Sequence, residues 1–123
     1  MRRKFVLPGL MVLLLAACAT EPPKPIAVFF WNDHDDLTPE GRHLVADIAL
    51  QAKQMHVSRI EIEGHADGAT DDRSALAQAR ADSVAHGLVE EGISPNLIQA
   101  HAGVPPKGEQ DVAARKALVT LVP

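Results

Sequence analysis

Residues 60–84 read "IEIEGHADGATDDRSALAQARADSV", and the fold turns on how this run changes its period. Ile60 and Ile62 fall on one side of an extended chain, and Arg59, Glu61 and Glu63 on the other. That is the alternation of a strand over Ser58–Glu63 with one buried face. His65 and Asp67 end the alternation and a short Gly/Asp loop follows. Thr70, Asp71 and Asp72 then open a helix, and Gly92 is placed to close it. Within that helix Leu76, Arg80, Val84 and Leu88 are each four apart, so they drift along one face, with Ala77 and Ala81 beside them. A cation therefore sits inside the apolar stripe. Arginine is rarely buried without a partner, and an unpaired buried charge is costly. Asp67, at the mouth of the preceding strand, is the obvious candidate. Two arrangements satisfy the pair. One is a plain structural ion pair. The other is a bipolar pocket, in which Asp67 receives an ammonium and the planar Arg80 fork takes a carboxylate.

Working outward, Ile26–Trp31 ("IAVFFW") is a continuous apolar run of strand length, and Asn32–Asp36 is a polar turn. Thr38-Pro39-Glu40 starts a helix: Thr caps, Pro suits the first turn, and Glu favours the positive end of the dipole. Leu44, Val45, Ile48, Ala49, Ala52 and Met55 then recur at helical spacing. After Gly92, "ISPN" is a turn and a short apolar run leads to Gly103. Asp111–Lys116 has room for one or two helical turns, and Leu118–Val122 is a last strand. The order β-α-β-α-β-(α)-β predicts an α/β (α+β) two-layer sandwich over residues 26–123, with the helices packed on one mixed sheet.

The beginning of the chain is of another kind. Arg2, Arg3 and Lys4 precede the apolar run Val6–Ala17, which is too short for a stable membrane-spanning helix, so residues 1–17 read as a secretory signal. Leu15-Ala16-Ala17-Cys18 resembles the lipobox of bacterial lipoproteins, in which the cysteine is acylated and becomes the first residue. Ordinary cleavage after Ala19 is the other reading of these small residues. Cys18 is the only cysteine in the chain, so it forms no internal disulfide. Two or three acyl chains anchor stably where one holds marginally. Ala19 after the cysteine, by analogy with Gram-negative lipoproteins, implies the outer membrane. Residues 18–25 are then the lipidated cysteine and a Pro-rich tether that spans ~20 Å when extended.

"GHAD" after an Ile-rich strand, "LAQARADSV" on the next helix and "EEGISPNLI" at that helix's end together resemble the OmpA-like peptidoglycan-binding domain. That domain is shared by OmpA, the flagellar stator protein MotB and the peptidoglycan-associated lipoprotein. "VFFWNDHDDLTPEG" is similar to the same family's first strand, turn and helix start. The likeness runs from about Ile26 to Val122. It implies a periplasmic domain that grips diaminopimelate of the peptidoglycan peptide, with Asp67 on the ammonium and Arg80 on the carboxylate. On that reading either substitution abolishes wall binding and leaves the fold intact. The sequence departs from the family pattern at Ala66 (usually Thr), Arg73 (Asn), Ala77 (Ser) and Ala114 (Asn), and the Asp67–Arg80 loop is about two residues short. Arg73, in the first helical turn, is placed to supply a second carboxylate contact.

Other functions find less support. Removing residues 1–17 deletes three basic residues and no acidic one, which takes the formal net charge from −4 to −7; a nucleic-acid partner needs clustered Lys and Arg. "NDHDD" (Asn32–Asp36) with His43 lacks the spacing of any familiar metal site. No nucleophile stands beside a histidine in a recognisable catalytic motif, so neither an enzyme nor a cofactor is expected. The competing expectation is a lipoprotein that keeps the fold, has lost peptidoglycan, and serves as a structural or partner-binding component of an envelope complex.

Overall fold

A computed structural model of the chain describes residues 22–68, 70–104 and 114–123. The elements are β1 (Ile26–Phe29), α1 (Pro39–Met55), β2 (Arg59–Gly64), α2 (Asp71–Glu90), a single 3-10 turn (Pro95–Leu97), β3 (Ile98–Ala102) and β4 (Lys116–Val122). The sheet order is β1-β4-β2-β3. β4 is antiparallel to both β1 and β2, and β2 is parallel to β3. Three strands therefore run one way and β4 runs against them. This is the expected two-layer sandwich: two helices cover one face of a mixed, four-stranded sheet.

Local chemistry sets the ends of α1. The Thr38 hydroxyl accepts a bond from the Gly41 N–H at 2.9 Å, with Pro39 in the first turn. His56 closes the helix in the left-handed region, at φ 50°. Val45, Ile48, Ala49 and Ala52 meet Val28, Ile60, Ile62, Val84, Leu88, Val119 and Leu121 in one core. β2 and β4 alternate strictly, with every second residue buried under the helices.

Three boundaries differ from the sequence reading. β1 stops at Phe29, and although Val28 and Phe30 are buried, Phe29 and Trp31 are exposed. The apolar run thus belongs to an edge strand with one covered face, not to a strand buried on both sides. β4 starts at Lys116, two residues early, because that residue pairs with Phe29 and Ala117 pairs with both Val28 and Gly64. The helix expected over Asp111–Lys116 falls partly outside the described residues; within them Ala114 forms a tight turn and Lys116 is already strand.

Gly64 governs how the layers meet. A Cβ at this position would lie 1.8 Å from the Ala77 carbonyl oxygen and 3.0 Å from the Ala81 nitrogen. α2 rests its backbone directly on the end of β2, through Gly64, Ala77 and Ala81. That contact places Arg80, between the two alanines, at the end of the sheet.

Candidate functional site

β1, β2 and β3 all release the chain at the same end of the sheet, the usual place for a ligand crevice in open α/β sheets. Trp31–Asp36 leaves β1 there, His65–Gly68 leaves β2, and Gly103–Val104 leaves β3. α2 starts beside them and sends three side chains into the β1–α1 loop. Arg73 Nη1 donates to Asp33 Oδ1 at 2.6 Å, Ser83 Oγ donates to the Asp35 carbonyl at 2.6 Å, and Arg80 supplies the rest.

Arg80 is 1% exposed. Its Nε donates to the His34 carbonyl at 2.9 Å, Nη1 to the His65 carbonyl at 2.9 Å and Nη2 to the Trp31 carbonyl at 3.3 Å. The guanidinium carbon lies 5.5 Å from the centre of the Phe30 ring, within cation–π range. The sequence reading paired Arg80 directly with Asp67; the structure gives it three carbonyl dipoles instead. Asp67 acts on it only through its field. Desolvation pushes the Arg80 pKa down, and the charges of Asp67 and Asp33 oppose that shift. Three of the five guanidinium N–H groups are engaged by these carbonyls, and two are left among the described residues.

Asp67 is half-exposed, and its Oδ1 stands 3.5 Å from Arg73 Nη1. Arg73 is therefore shared between two carboxylates, with the shorter contact to Asp33. The hydrogen bond and charge of Arg73 hold the Asp33 carboxyl below its usual range; Asp33 and, less strongly, Asp67 raise the Arg73 pKa. A concavity of about 120 Å³, lined by Ala66, Gly68, Arg73, Ser74, Ala77 and Gly103 among others, opens beside this cluster. Three of the departures from the expected pattern, Ala66, Arg73 and Ala77, form part of its wall, and Ala114 is fully buried. Cys18 lies outside the described residues.

Sequence reasoning brought Asp67, Arg73 and Arg80 to one place and missed Asp33 and Ser83. Asp33 stands in the turn that had been weighed as a metal loop, at φ 56°, and its carboxylate goes to Arg73. Beneath the cluster, His65 is buried and its Nε2 lies 2.9 Å from Glu63 Oε1.

A family model described as the OmpA family matches residues 29–118. The chain belongs to the OmpA family. It is 34% identical over 102 residues to outer membrane protein A of Bordetella avium, covering 75% of this chain and 53% of that protein. It is also 30% identical over 91 residues to an outer membrane protein of Gluconacetobacter diazotrophicus, covering 68% of this chain and 24% of that one. The chain thus spans about half the length of the first relative and a quarter of the second. Among solved structures, the OmpA-like domain of FopA1 from Francisella tularensis matches with a TM-score of 0.69 at 18% identity, over 79% of this chain and 70% of that one. The peptidoglycan-associated lipoprotein from Burkholderia pseudomallei matches with a TM-score of 0.67 at 23% identity, over 76% of this chain and 87% of that one. These two likenesses are of fold.

Proposed function

We propose that this OmpA-family domain is a non-catalytic peptidoglycan tether. It would be carried on a lipid-modified Cys18 at the outer membrane and face the periplasm. The observation that supports the reading is the gathering of Asp67, Arg73 and Arg80 at one end of the sheet, with Arg73 on the wall of a small concavity. An amino-acid end bearing both an ammonium and a carboxylate, as in diaminopimelate, complements that set. Asp67 takes the ammonium. Its contact with Arg73 is long for a charge-assisted bond, which normally closes to about 2.8 Å, so a ligand cation competes for it. Arg73, held by Asp33, turns its remaining donors to a ligand carboxylate. Arg80 offers its two remaining N–H groups from behind, and with its side chain so deeply covered the ligand reaches it only as the β1–α1 loop gives way.

One observation favours a second reading. Arg80 is almost wholly out of water and already bonded to three carbonyls, as a purely structural cation would be. The domain would then be an envelope lipoprotein that has kept the fold for a protein partner. NMR titration of residues 19–123 with a diaminopimelate-containing muropeptide separates the two. Wall binding requires shifts clustered on Gly64–Arg80 that vanish in Asp67→Ala. A flat titration at millimolar ligand rejects wall binding and leaves the partner-binding reading.

A further inference from the structure

The Trp31 side chain has no role in the cluster as described, yet its backbone ties it there. Its carbonyl accepts from Arg80 at 3.3 Å and from the His34 N–H at 3.2 Å, so the backbone is pinned at the rim. Two residues on, at most about 7 Å along the chain, Asp33 holds Arg73. The side chain nevertheless stands 65% exposed. Trp31 is the only tryptophan in the chain, and Phe29, Phe30 and Trp31 are the only aromatic residues after residue 17. Phe30 goes into the core, while Phe29 and Trp31 are exposed. A tryptophan is the largest apolar surface a chain can bury. Here it lies uncovered, on a fixed backbone, beside a polar site.

We propose that Trp31 is a sugar-stacking platform, taking the C–H face of a pyranose ring of the glycan to which the peptide ligand is attached. The inference rests on the wall-binding reading. An indole offers a flat apolar face and a single N–H donor at its edge. The face of a pyranose offers the complement: a patch of C–H groups ringed by hydroxyls. In peptidoglycan the diaminopimelate is joined to its sugar by a short stem peptide. Arg80 ties the Trp31 and His65 carbonyls together, and Asp67 follows His65 by two residues, so a sugar on a short stem peptide whose diaminopimelate sits at Asp67 would be within reach of Trp31. The peptide end thus supplies the charged contacts, and the ring supplies contact with the polymer itself.

The test is calorimetric titration of the full chain with two ligands. One is the stem peptide ending in diaminopimelate; the other is the same peptide on its N-acetylglucosaminyl-N-acetylmuramyl disaccharide. The wild-type chain should bind the glycosylated ligand about tenfold tighter, a difference worth ~1.4 kcal/mol, and its indole emission should change with that ligand only. Trp31→Ala should collapse the ratio between the two ligands, and Trp31→Phe should keep part of it. Because the ratio is the readout, a general loss of stability, which weakens both ligands alike, leaves it in place. Equal affinities in the wild-type chain, or a ratio preserved in Trp31→Ala, would overturn the proposal and point the aromatic pair towards a protein partner. Failure of the wild-type chain to bind either ligand overturns the wall-binding reading together with this one.

Discussion

Arg80 carries its charge in a position almost closed to water; the groups it bonds are backbone carbonyls, and Asp67 and Asp33 act on it only through their fields. The carbonyls of Trp31, His34 and His65 belong to two loops that leave different strands. Their convergence on one guanidinium is what fixes those loops relative to α2. The planar fork matters, because a lysine is a point charge on a flexible stem and does not reach three separated acceptors. Arg80→Ala should therefore destabilise the domain by about 3 kcal/mol, at roughly 1 kcal/mol for each of the three hydrogen bonds lost. Arg80→Lys should recover only part of that loss, as read by urea denaturation. A loss below ~0.5 kcal/mol for Arg80→Ala would show that the carbonyl bonds are incidental. On this geometry the Asp67 and Arg80 substitutions are not equivalent tests of binding. Asp67 is the cleaner one, since its carboxylate touches only Arg73 among the described residues. The position of Arg80 in the apolar stripe could be read from its spacing to Leu76 and Val84. Its partners could not, because backbone acceptors leave no mark in the side-chain pattern. Asp33 was hidden for a related reason: it is 40 residues from Arg73, and only the tertiary fold sets them side by side.

Helix α2 comes as close to β2 as peptide backbones allow, and one missing side chain makes this possible. Gly64 is extended, so its value lies in the absence of a Cβ and not in any unusual backbone angle. Gly64→Ala would drive a methyl group into the Ala77 carbonyl. The helix would have to lift or slide, at a cost of about 3 kcal/mol, and the Arg80 bonds to both loops would lengthen with it. Gly87→Ala is a useful comparison, because there the new methyl meets the side chains of Val45 and Leu37 at 3.0 and 3.2 Å, which can adjust. If both variants proved equally stable by thermal denaturation, the close approach at Gly64 would have no energetic weight. At this scale the sequence was legible wherever one face of an element is buried. The alternation of β2 and the four-residue spacing of α2 both marked the faces that are buried. It was less legible for β1, where a continuous apolar run looks the same whether a strand is covered on one side or two. It was less legible again for the start of β4, where pairing on both sides extends the strand into Lys116 and Ala117.

At the scale of the whole molecule, the direction of the strands separates the two ends of the proposed tether. Residues 22–25 are exposed and enter β1 at one end of the sheet. Asp67, Arg73 and Trp31 are at the other. If Cys18 is the lipid attachment, Cys18→Ser should move the protein from the membrane pellet to the soluble fraction, and the chain should lose its incorporation of labelled palmitate. Continued sedimentation of the variant with membranes would remove the lipid anchor from the proposal without touching the fold. The acidic balance of the chain was readable from its composition alone, whereas the direction of the domain, with its entry at one end and the polar cluster at the other, needed the sheet.

That polarity has a mechanical side. Let the chain before Ile26 be pulled one way while a ligand gripped at Asp67 is pulled the other. The load then enters through β1, passes across β4 and leaves through β2, along the strands throughout. The hydrogen bonds joining β1 to β4 are then strained in shear and resist together, whereas a pull across the sheet would break them one after another. Rupture under such a load is governed by the unfolding rate and not by equilibrium stability. A domain of this topology holds longest when loaded along its strands, which is the direction the proposed tether would impose.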